Sequence, residues 1–398
     1  MDTDRYIVLK ATGGDAKVLS DIRGSMLGGA EGLRDIEVTA EAATLGAREL
    51  DDLRRAPEVL RTAPVMPVLL IQPKMEADAA ASQDPPDAAW GVQAVGALTC
   101  PYKGAGVTVA VLDTGIDVGH EAFRNKTIVQ KDFTGEGDGD NHGHGTHCAG
   151  TIFGADVSGL RIGVAPGVGK ALIGKVLNRS GGGNTEQIFN GLLWAVQEGA
   201  NVVSMSIGLD FPGLVKSLVT RGMEVEPATS QALTAYRDNV RMFDALASLV
   251  RAHSSMFSRT ILVAAAGNES ARPNYEIATA PPAAADGFIS VGALQQISGV
   301  GLKLGVAAFS NSMPVVSAPG VSVKSAKVGG GLAVMSGTSM ATPHVAGVAA
   351  LWLEQINSVN PGANIRQLEG RLIGSASLEG IAYVERANAG AGIVQAPR

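Results

Sequence analysis

Short apolar runs that end at glycine or small polar residues recur along this chain of 398 residues, for example at 107–112, 201–208 and 261–266. Continuous apolar runs of this length, bounded by turn residues, indicate buried strands. Residues 229–256 carry apolar side chains at helical spacing and predict a helix that faces the core. The length is sufficient for one large α/β domain plus a small one.

The first 73 residues are predicted to form a separate small unit. Residues 5–10 predict a strand, and residues 40–60, which are rich in alanine and leucine, predict a helix. Residues 65–71 predict a further strand, interrupted by Pro67.

A linker follows this unit. Residues 74–88 are rich in alanine, aspartate, serine and proline, a composition typical of linkers. Residues 89–398 form the predicted main domain, with an insertion at about 209–228. Because the insertion directly follows one of the predicted strands, we hypothesise that it forms a rim or lid beside a cleft.

Ser339 is the candidate nucleophile. It lies in the run Gly-Thr-Ser-Met-Ala-Thr-Pro-His, between a glycine turn and the start of a predicted helix. A serine hydroxyl is a weak nucleophile and needs an adjacent base. His144, in the run Asn-His-Gly-His-Gly-Thr-His-Cys-Ala-Gly, can supply the base. Asp113, at the end of the strand predicted over 107–112, can supply the carboxylate that orients it.

Three segments resemble the active-site motifs of the subtilisin-like serine proteases: Val-Leu-Asp-Thr-Gly-Ile-Asp, His-Gly-Thr-His-Cys-Ala-Gly-Thr and Gly-Thr-Ser-Met-Ala-Thr-Pro-His-Val-Ala-Gly. The order Asp, His, Ser is also that of subtilisin. The resemblance extends from about Trp90 to Ala396 and implies a doubly wound, mostly parallel sheet of the seven-stranded type with helices on both faces. Cys148, directly after the second histidine of its motif, resembles the proteinase K branch.

The resemblance implies that the enzyme is a serine endopeptidase acting through an acyl-enzyme. Asp113, His144 and Ser339 would form its catalytic triad, and His147 would be structural. The inferred partners are polypeptide substrates.

The resemblance also implies how a substrate is held. The side-chain amide of Asn268 and the backbone N–H of Ser339 would form the oxyanion hole. Ser206, Ile207 and Gly208 would line the cleft and pair with the substrate backbone.

By its position, the unit formed by residues 1–73 resembles the family's propeptide, a small α+β inhibitor and chaperone. We therefore hypothesise an autoprocessed zymogen that is cut within residues 74–88. Two alternatives stay open: a maturation protease dedicated to one peptide, and an inactive binding module on the same fold.

Other chemistries fit the residues less well. Asp-Thr-Gly at 113–115 is also the aspartic-protease motif, but that mechanism needs two such carboxylates and no second motif occurs. The histidines at 142, 144 and 147 are too few for the zinc hydrolase pattern that they resemble.

We expect no required cofactor and no metal. Calcium is an open alternative, since Asp138 and Asp140 precede the histidines, but the family's usual calcium-site residues are not recognisable.

Composition limits the partners. The formal net charge is −6 and no basic block is present, so nucleic acid is not expected. Two cysteines do not indicate a disulfide framework. No apolar run approaches the ~18–20 residues that cross a bilayer. The acidic N-terminus does not resemble a signal peptide. We expect a monomeric, cytoplasmic enzyme without a membrane partner.

Overall fold

The computed structural model describes residues 4–12, 37–73, 84–254, 259–297, 303–361, 364–382 and 385–398. In chain order its strands are β1 (Asp4–Thr12), β2 (Glu37–Leu45), β3 (Val59–Pro64), β4 (Pro67–Leu70), β5 (Thr108–Asp113), β6 (Thr127–Asp132), β7 (Lys170–Lys175), β8 (Gly182–Asn184), β9 (Val202–Met205), β10 (Ile207–Leu209), β11 (Ile261–Ala265), β12 (Phe288–Ile297), β13 (Lys303–Val306), β14 (Val316–Pro319), β15 (Val323–Ala326) and β16 (Leu332–Met335). Its helices are α1 (Ala47–Arg55), α2 (Trp90–Ala94), α3 (His144–Phe153), α4 (Thr185–Gln197), α5 (Phe211–Thr220), α6 (Val225–Ser254), α7 (Thr338–Val359), α8 (Ile365–Gly374) and α9 (Arg386–Ala389).

The N-terminal residues form an antiparallel sheet in the order β2–β1–β3, with α1 between β2 and β3 in the chain. The strand predicted over residues 5–10 is confirmed by β1. The helix predicted over residues 40–60 is confirmed over α1 but wrong at both ends, because residues 40–45 belong to β2 and residues 59 and 60 to β3. Every residue of β2 pairs with β1, and this pairing overrides the helix preference of alanine and glutamate.

One sheet of eight strands forms the centre of the main domain, in the order β13–β12–β11–β9–β5–β7–β6, with β14 also paired to β12. The pairing of β13 with β12 is antiparallel, and all other pairings in this sheet are parallel. The chain places β6 and β7 on one side of β5 and then crosses to the other side, where β9, β11 and β12 lie, which is the doubly wound arrangement. The predicted fold class is therefore confirmed.

Helices cover both faces of this sheet. Val109 and Val111 of β5 belong to the hydrophobic cluster that includes residues of α3 and α7. Ala110 and Leu112 belong to a second cluster, which includes residues of α4 and α6. Since successive side chains of a strand point to opposite faces, the continuous apolar run of β5 is what a doubly covered sheet requires.

The helix α7 runs through the interior of the main domain, and every residue from Thr338 to Leu351 is buried. Small side chains allow this burial. A Cβ atom at Gly347 would lie 2.6 Å from the Cβ atom of Val164, so the helix approaches its neighbour closely there. The nucleophile candidate Ser339 is the second residue of this buried helix.

A small sheet lies beside the large one, in the order β10–β4–β8. Its central strand, β4, comes from the N-terminal residues, whereas β8 and β10 belong to the main domain. Pro67 is the first residue of β4, a position that tolerates proline because a ladder hydrogen bond is not needed from its nitrogen.

The predicted insertion corresponds to α5 and the first turn of α6. The helix predicted over 229–256 is longer than expected at its start, since α6 begins at Val225; residues 255 and 256 lie outside the described part. Leu218 of α5 and Ala228 and Ala232 of α6 form a small hydrophobic cluster of their own.

No helix among the described residues is long and apolar enough to span a membrane.

Candidate active site

Asp113 and His144 meet at the carboxyl end of β5. His144 Nδ1 lies 2.8 Å from Asp113 Oδ1 and 3.0 Å from Oδ2, and both side chains are buried. A carboxylate accepts hydrogen bonds, so it fixes the proton on Nδ1 and leaves Nε2 as the basic atom. His144 Nε2 makes no hydrogen bond to the described residues. This pair can therefore act as an oriented general base.

Asp140 connects the two segments that carry this pair. Its Oδ1 accepts hydrogen bonds from Thr114 Oγ1 and from the N–H groups of His142 and Gly143. Its Oδ2 accepts from the N–H and the hydroxyl of Thr146. Burial would raise the pKa of Asp140, but these hydrogen bonds outweigh it and lower the pKa below its ordinary value. Asp140 thus fixes the start of α3, and both its oxygens are occupied by protein donors.

Glycine is required where the Asp and His segments cross. A Cβ atom at Gly145 would lie 2.2 Å from the carbonyl oxygen of Gly115. The glycines of both motifs therefore allow Asp113 and His144 to approach.

Ser339 lies at the start of α7 and is buried. Its hydroxyl donates a hydrogen bond to the carbonyl oxygen of Ile71, at 3.0 Å. The hydroxyl is thus directed at the N-terminal segment and not at His144. The structure brings the three predicted triad residues to one edge of the sheet, with the serine proton engaged by the chain's own residue 71.

Asn268 is held with its amide nitrogen toward the cleft. Its Oδ1 accepts hydrogen bonds from Thr338 N and Thr338 Oγ1, both at 2.9 Å. Its Nδ2 donates to the carbonyl oxygen of Gln72, also at 2.9 Å. A Cβ atom at Gly337 would lie 2.9 Å from this Nδ2, so the glycine before Thr338 leaves space for the amide. Asn268 is placed to donate to a peptide carbonyl.

The predicted cleft residues face β4. Ile207 pairs with Leu70 and Gly208 pairs with Leu69, in antiparallel register. The carbonyl oxygen of Ser206 accepts from Ile71 N at 3.3 Å. This edge is therefore occupied by an extended peptide segment.

Sequence reasoning missed the opposite wall of the cleft. β8 pairs with the other edge of β4, and the carbonyl oxygen of Gly181 accepts from Leu70 N at 2.7 Å. The run of three glycines at 181–183 was the available signal, because a backbone that approaches another chain closely favours glycine. Reasoning from the sequence also missed Thr338 and the occupation of the cleft by residues 67–72.

Cys148 packs against two of the predicted triad residues. Its Sγ lies 3.7 Å from His144 Nδ1 and donates to the carbonyl oxygen of Ser339 at 3.4 Å. That carbonyl lies four residues before Pro343, which has no N–H to donate to it. Burial raises the pKa of Cys148 well above its ordinary value, so the thiol is a poor nucleophile.

Asp113, His144 and Cys148 are the one group in the described residues that could share a metal ion, and their ligand atoms already contact one another.

His147 is fully buried. Its Nε2 lies 3.0 Å from the carbonyl oxygen of Val323 and 3.2 Å from that of Ala333. Burial lowers the pKa of His147 to about 3. It therefore stays neutral near pH 7 and links α3 to the β15–β16 hairpin.

Known proteins resemble this chain over most of its length. The family model described as "Subtilase family" matches residues 104–391. Subtilisin DY of Bacillus licheniformis is 35% identical over 284 residues, which cover 69% of this chain and 85% of the relative. An intracellular serine protease of Paenibacillus polymyxa is 33% identical over 264 residues, 64% of this chain and 69% of the relative. Alkaline serine exoprotease A of Vibrio alginolyticus is 33% identical over 364 residues, 87% of this chain and 57% of the relative.

The family model covers well over half of the chain and includes all the residues of the site apart from the N-terminal segment in the cleft. The chain therefore belongs to the subtilase family and is a subtilisin-like serine protease.

Proposed function

We propose that this chain is an endopeptidase that cuts polypeptides through an acyl-enzyme on Ser339 and is made as an autoprocessed zymogen. One observation carries the proposal. Residues 67–72 lie extended in the cleft, as a substrate would, with the Ile71 carbonyl oxygen 3.0 Å from Ser339 Oγ. Backbone pairing on both sides suits peptides of varied sequence.

The proposed reaction gives each polar group of the site a role. His144 Nε2 takes the proton of Ser339 as Oγ attacks the substrate carbonyl, and Asp113 stabilises the imidazolium through Nδ1–H. The amide of Asn268 and the N–H of Ser339 stabilise the oxyanion. His144 then donates its proton to the leaving amine, and a water molecule, activated by the same base, hydrolyses the acyl-enzyme.

The chain's own segment is held in a geometry that does not favour attack. Attack requires one carbonyl group to face both the nucleophile and the oxyanion donors. Here Ser339 Oγ donates to the carbonyl of Ile71, while Asn268 Nδ2 donates to the next carbonyl, that of Gln72. The nucleophile and the oxyanion donor thus face two different carbonyl groups. This arrangement supports a role for residues 1–73 as a bound inhibitor that is not cut at the position it occupies.

Activation then requires cleavage elsewhere, and we propose the linker at 74–88. Residues 74–83 lie outside the described residues. Asp84 is already anchored to the main domain, since it accepts from Trp90 N at 3.0 Å and pairs with Lys324 at 2.6 Å. A cut before Asp84 would therefore leave the main domain intact.

The physiological role and location are narrower proposals. A dedicated maturation protease is supported by α5, which follows the cleft strand β10 directly.

A cytoplasmic location is supported by the relative from Paenibacillus polymyxa, whose name describes it as intracellular. Cell fractionation with an antibody against the main domain would test the location, and light scattering after gel filtration would test whether the enzyme is a monomer.

The function is tested with wild type and Ser339→Ala, each treated with a fluorophosphonate probe and weighed intact. We expect the wild type to gain one adduct and to lose its N-terminal residues by a cut within 74–88. Ser339→Ala should stay unlabelled and full length. A wild type that stays unlabelled, full length and inactive on casein would contradict the proposal and favour the binding module.

A further inference from the structure

A positively charged cavity lies where the N-terminal unit meets the main domain. Its volume is about 390 Å³, and it is lined by residues of α1, β3 and α6. Arg54 comes from α1, Arg61 from β3 and Arg241 from α6, and among the described residues Asp238 is the one carboxylate in the lining. Three guanidinium groups from three separate elements thus surround one space.

Two of these arginines are held in place by β3. Arg54 Nε donates to Thr62 Oγ1 and Arg61 Nη1 donates to the carbonyl oxygen of Leu60, both at 3.0 Å. The carboxylate of Asp238 accepts from Arg237 Nε at 3.2 Å and is therefore shared with a further arginine. Arg54 also lies 3.9 Å from Asp51 Oδ1, which balances part of its charge, but within the lining three arginines face one carboxylate.

Arg241, on α6 of the main domain, adds the third positive charge to the two from the N-terminal unit. No carboxylate in the described part of the chain forms an ion pair with it. Asp244, one turn further along α6, interacts with Arg241 over a longer distance and accepts instead from Asp286 N at 2.8 Å. The positive charge of Arg241 is therefore available to a ligand.

We propose that this cavity binds a small phosphate compound with several negative charges, of which inorganic pyrophosphate is the simplest example. Guanidinium groups match the geometry of phosphate oxygens and bind them with paired hydrogen bonds. The cavity is within the size range of small-ligand sites. A bound anion would also relieve the repulsion between three like charges.

Such a ligand would act on activation, a consequence that rests on the proposed zymogen. α1 and β3 belong to the N-terminal unit and α6 belongs to the main domain, so the complete site exists only when the two are docked. A ligand that binds only the docked form stabilises it, by a factor of about 100 in population when its concentration is 100 times Kd. Pyrophosphate would therefore hold residues 67–72 in the cleft and slow processing.

The binding itself is tested on full-length Ser339→Ala by titration calorimetry with inorganic pyrophosphate at low salt. We expect saturable binding to one site, weakened by about 10- to 100-fold in the additional variant Arg241→Ala, because a charged hydrogen-bond partner is lost. Arg221→Ala, which removes an exposed arginine of the main domain away from the cavity, is the matched control and should bind as before. Absence of saturable binding, or equal binding by Arg241→Ala, would overturn the proposal.

The effect on activation is tested with the otherwise wild-type chain by following loss of the N-terminal residues on gels. Pyrophosphate should lengthen the lag in wild type and in Arg221→Ala, but not in Arg241→Ala. Pyrophosphate also chelates divalent metal ions, which could delay processing without binding the cavity. An equal delay in wild type and Arg241→Ala would therefore show chelation and contradict the proposed effect of the cavity on activation. If no variant is ever processed or labelled by fluorophosphonate, the proposed function fails, while the calorimetry still decides on the site.

Discussion

Asn268, the proposed oxyanion donor, shows how single residues of this site depend on their neighbours. Thr338 occupies Asn268 Oδ1 with two hydrogen bonds, which leaves Nδ2 directed into the cleft. The amide orientation is therefore fixed before a substrate arrives, and a preorganised donor of this kind stabilises charge most effectively.

We predict that Asn268→Leu lowers kcat by about 10²–10³, the size measured for the corresponding donor in subtilisin, with little change in KM. Thr338→Ser keeps the hydroxyl and should retain most activity, whereas Thr338→Val should lose part of it. Steady-state hydrolysis of a short chromogenic peptide measures both parameters. An Asn268→Leu enzyme with unchanged kcat would refute the assigned role.

Two buried histidines make the folded state sensitive to acid. Burial lowers the pKa of His147 to about 3 and that of His344 to about 4. In the unfolded chain both histidines bind a proton near pH 6.5. Above that pH, the stability that the folded protein gains from keeping them neutral is fully present. It is lost as the pH falls toward the folded-state values.

Each histidine should therefore remove about 2 kcal/mol from the free energy of unfolding between pH 7 and pH 5. We expect His147→Gln and His344→Gln each to reduce this pH-dependent loss by about half. Urea unfolding in the inactive Ser339→Ala background at the two pH values measures it. Variants with the same pH dependence as the parent would contradict the assignment.

At the scale of elements, the three sequence motifs predicted strands and helices well, because their glycines and candidate catalytic side chains lie at element ends. The strand before Asp113 and the helix after His144 both form. The helix predicted over residues 40–60 forms only as α1, because residues 40–45 pair with β1 as part of β2, a contact between distant parts of the chain. The cleft-bound state of residues 67–72 was not predictable for the same reason.

The strand β4 offers a matched pair of substitutions. Leu70 is 2% exposed and lies in the cluster beneath the cleft, whereas its neighbour Leu69 is 45% exposed. Leu70→Asp would bury an unpaired carboxylate, so the segment should leave the cleft. The activation lag should then shorten by more than about tenfold.

Leu69→Asp introduces the same charge one residue away and should leave the lag unchanged. The lag is read from progress curves of peptide hydrolysis by freshly purified protein. Equal lags for the two variants would mean that the burial of β4 side chains does not control activation. Circular dichroism of both proteins would exclude unfolding as the cause of any difference.

At the scale of the whole molecule, the N-terminal unit is attached at several separate places. Met66 N donates to Thr185 Oγ1 at 3.0 Å, and Asn239 Nδ2 donates to the carbonyl oxygen of Pro64 at 2.8 Å. Leu70 adds apolar contact within the cluster that also contains residues of α4 and α6. The covalent linker is therefore one attachment among several.

We therefore predict that cutting the linker does not by itself release the N-terminal unit. A recognition sequence for a specific protease, inserted between residues 74 and 83 of Ser339→Ala, allows the cut to be made without autoprocessing. The two fragments should elute together from gel filtration, because hydrogen bonds and buried apolar surface at the interface are unaffected by the cut. The same protein carrying Leu70→Asp should release the small fragment. Separation of the fragments without that substitution would show that the linker alone holds the N-terminal unit, and that the proposed activation is complete once the chain is cut.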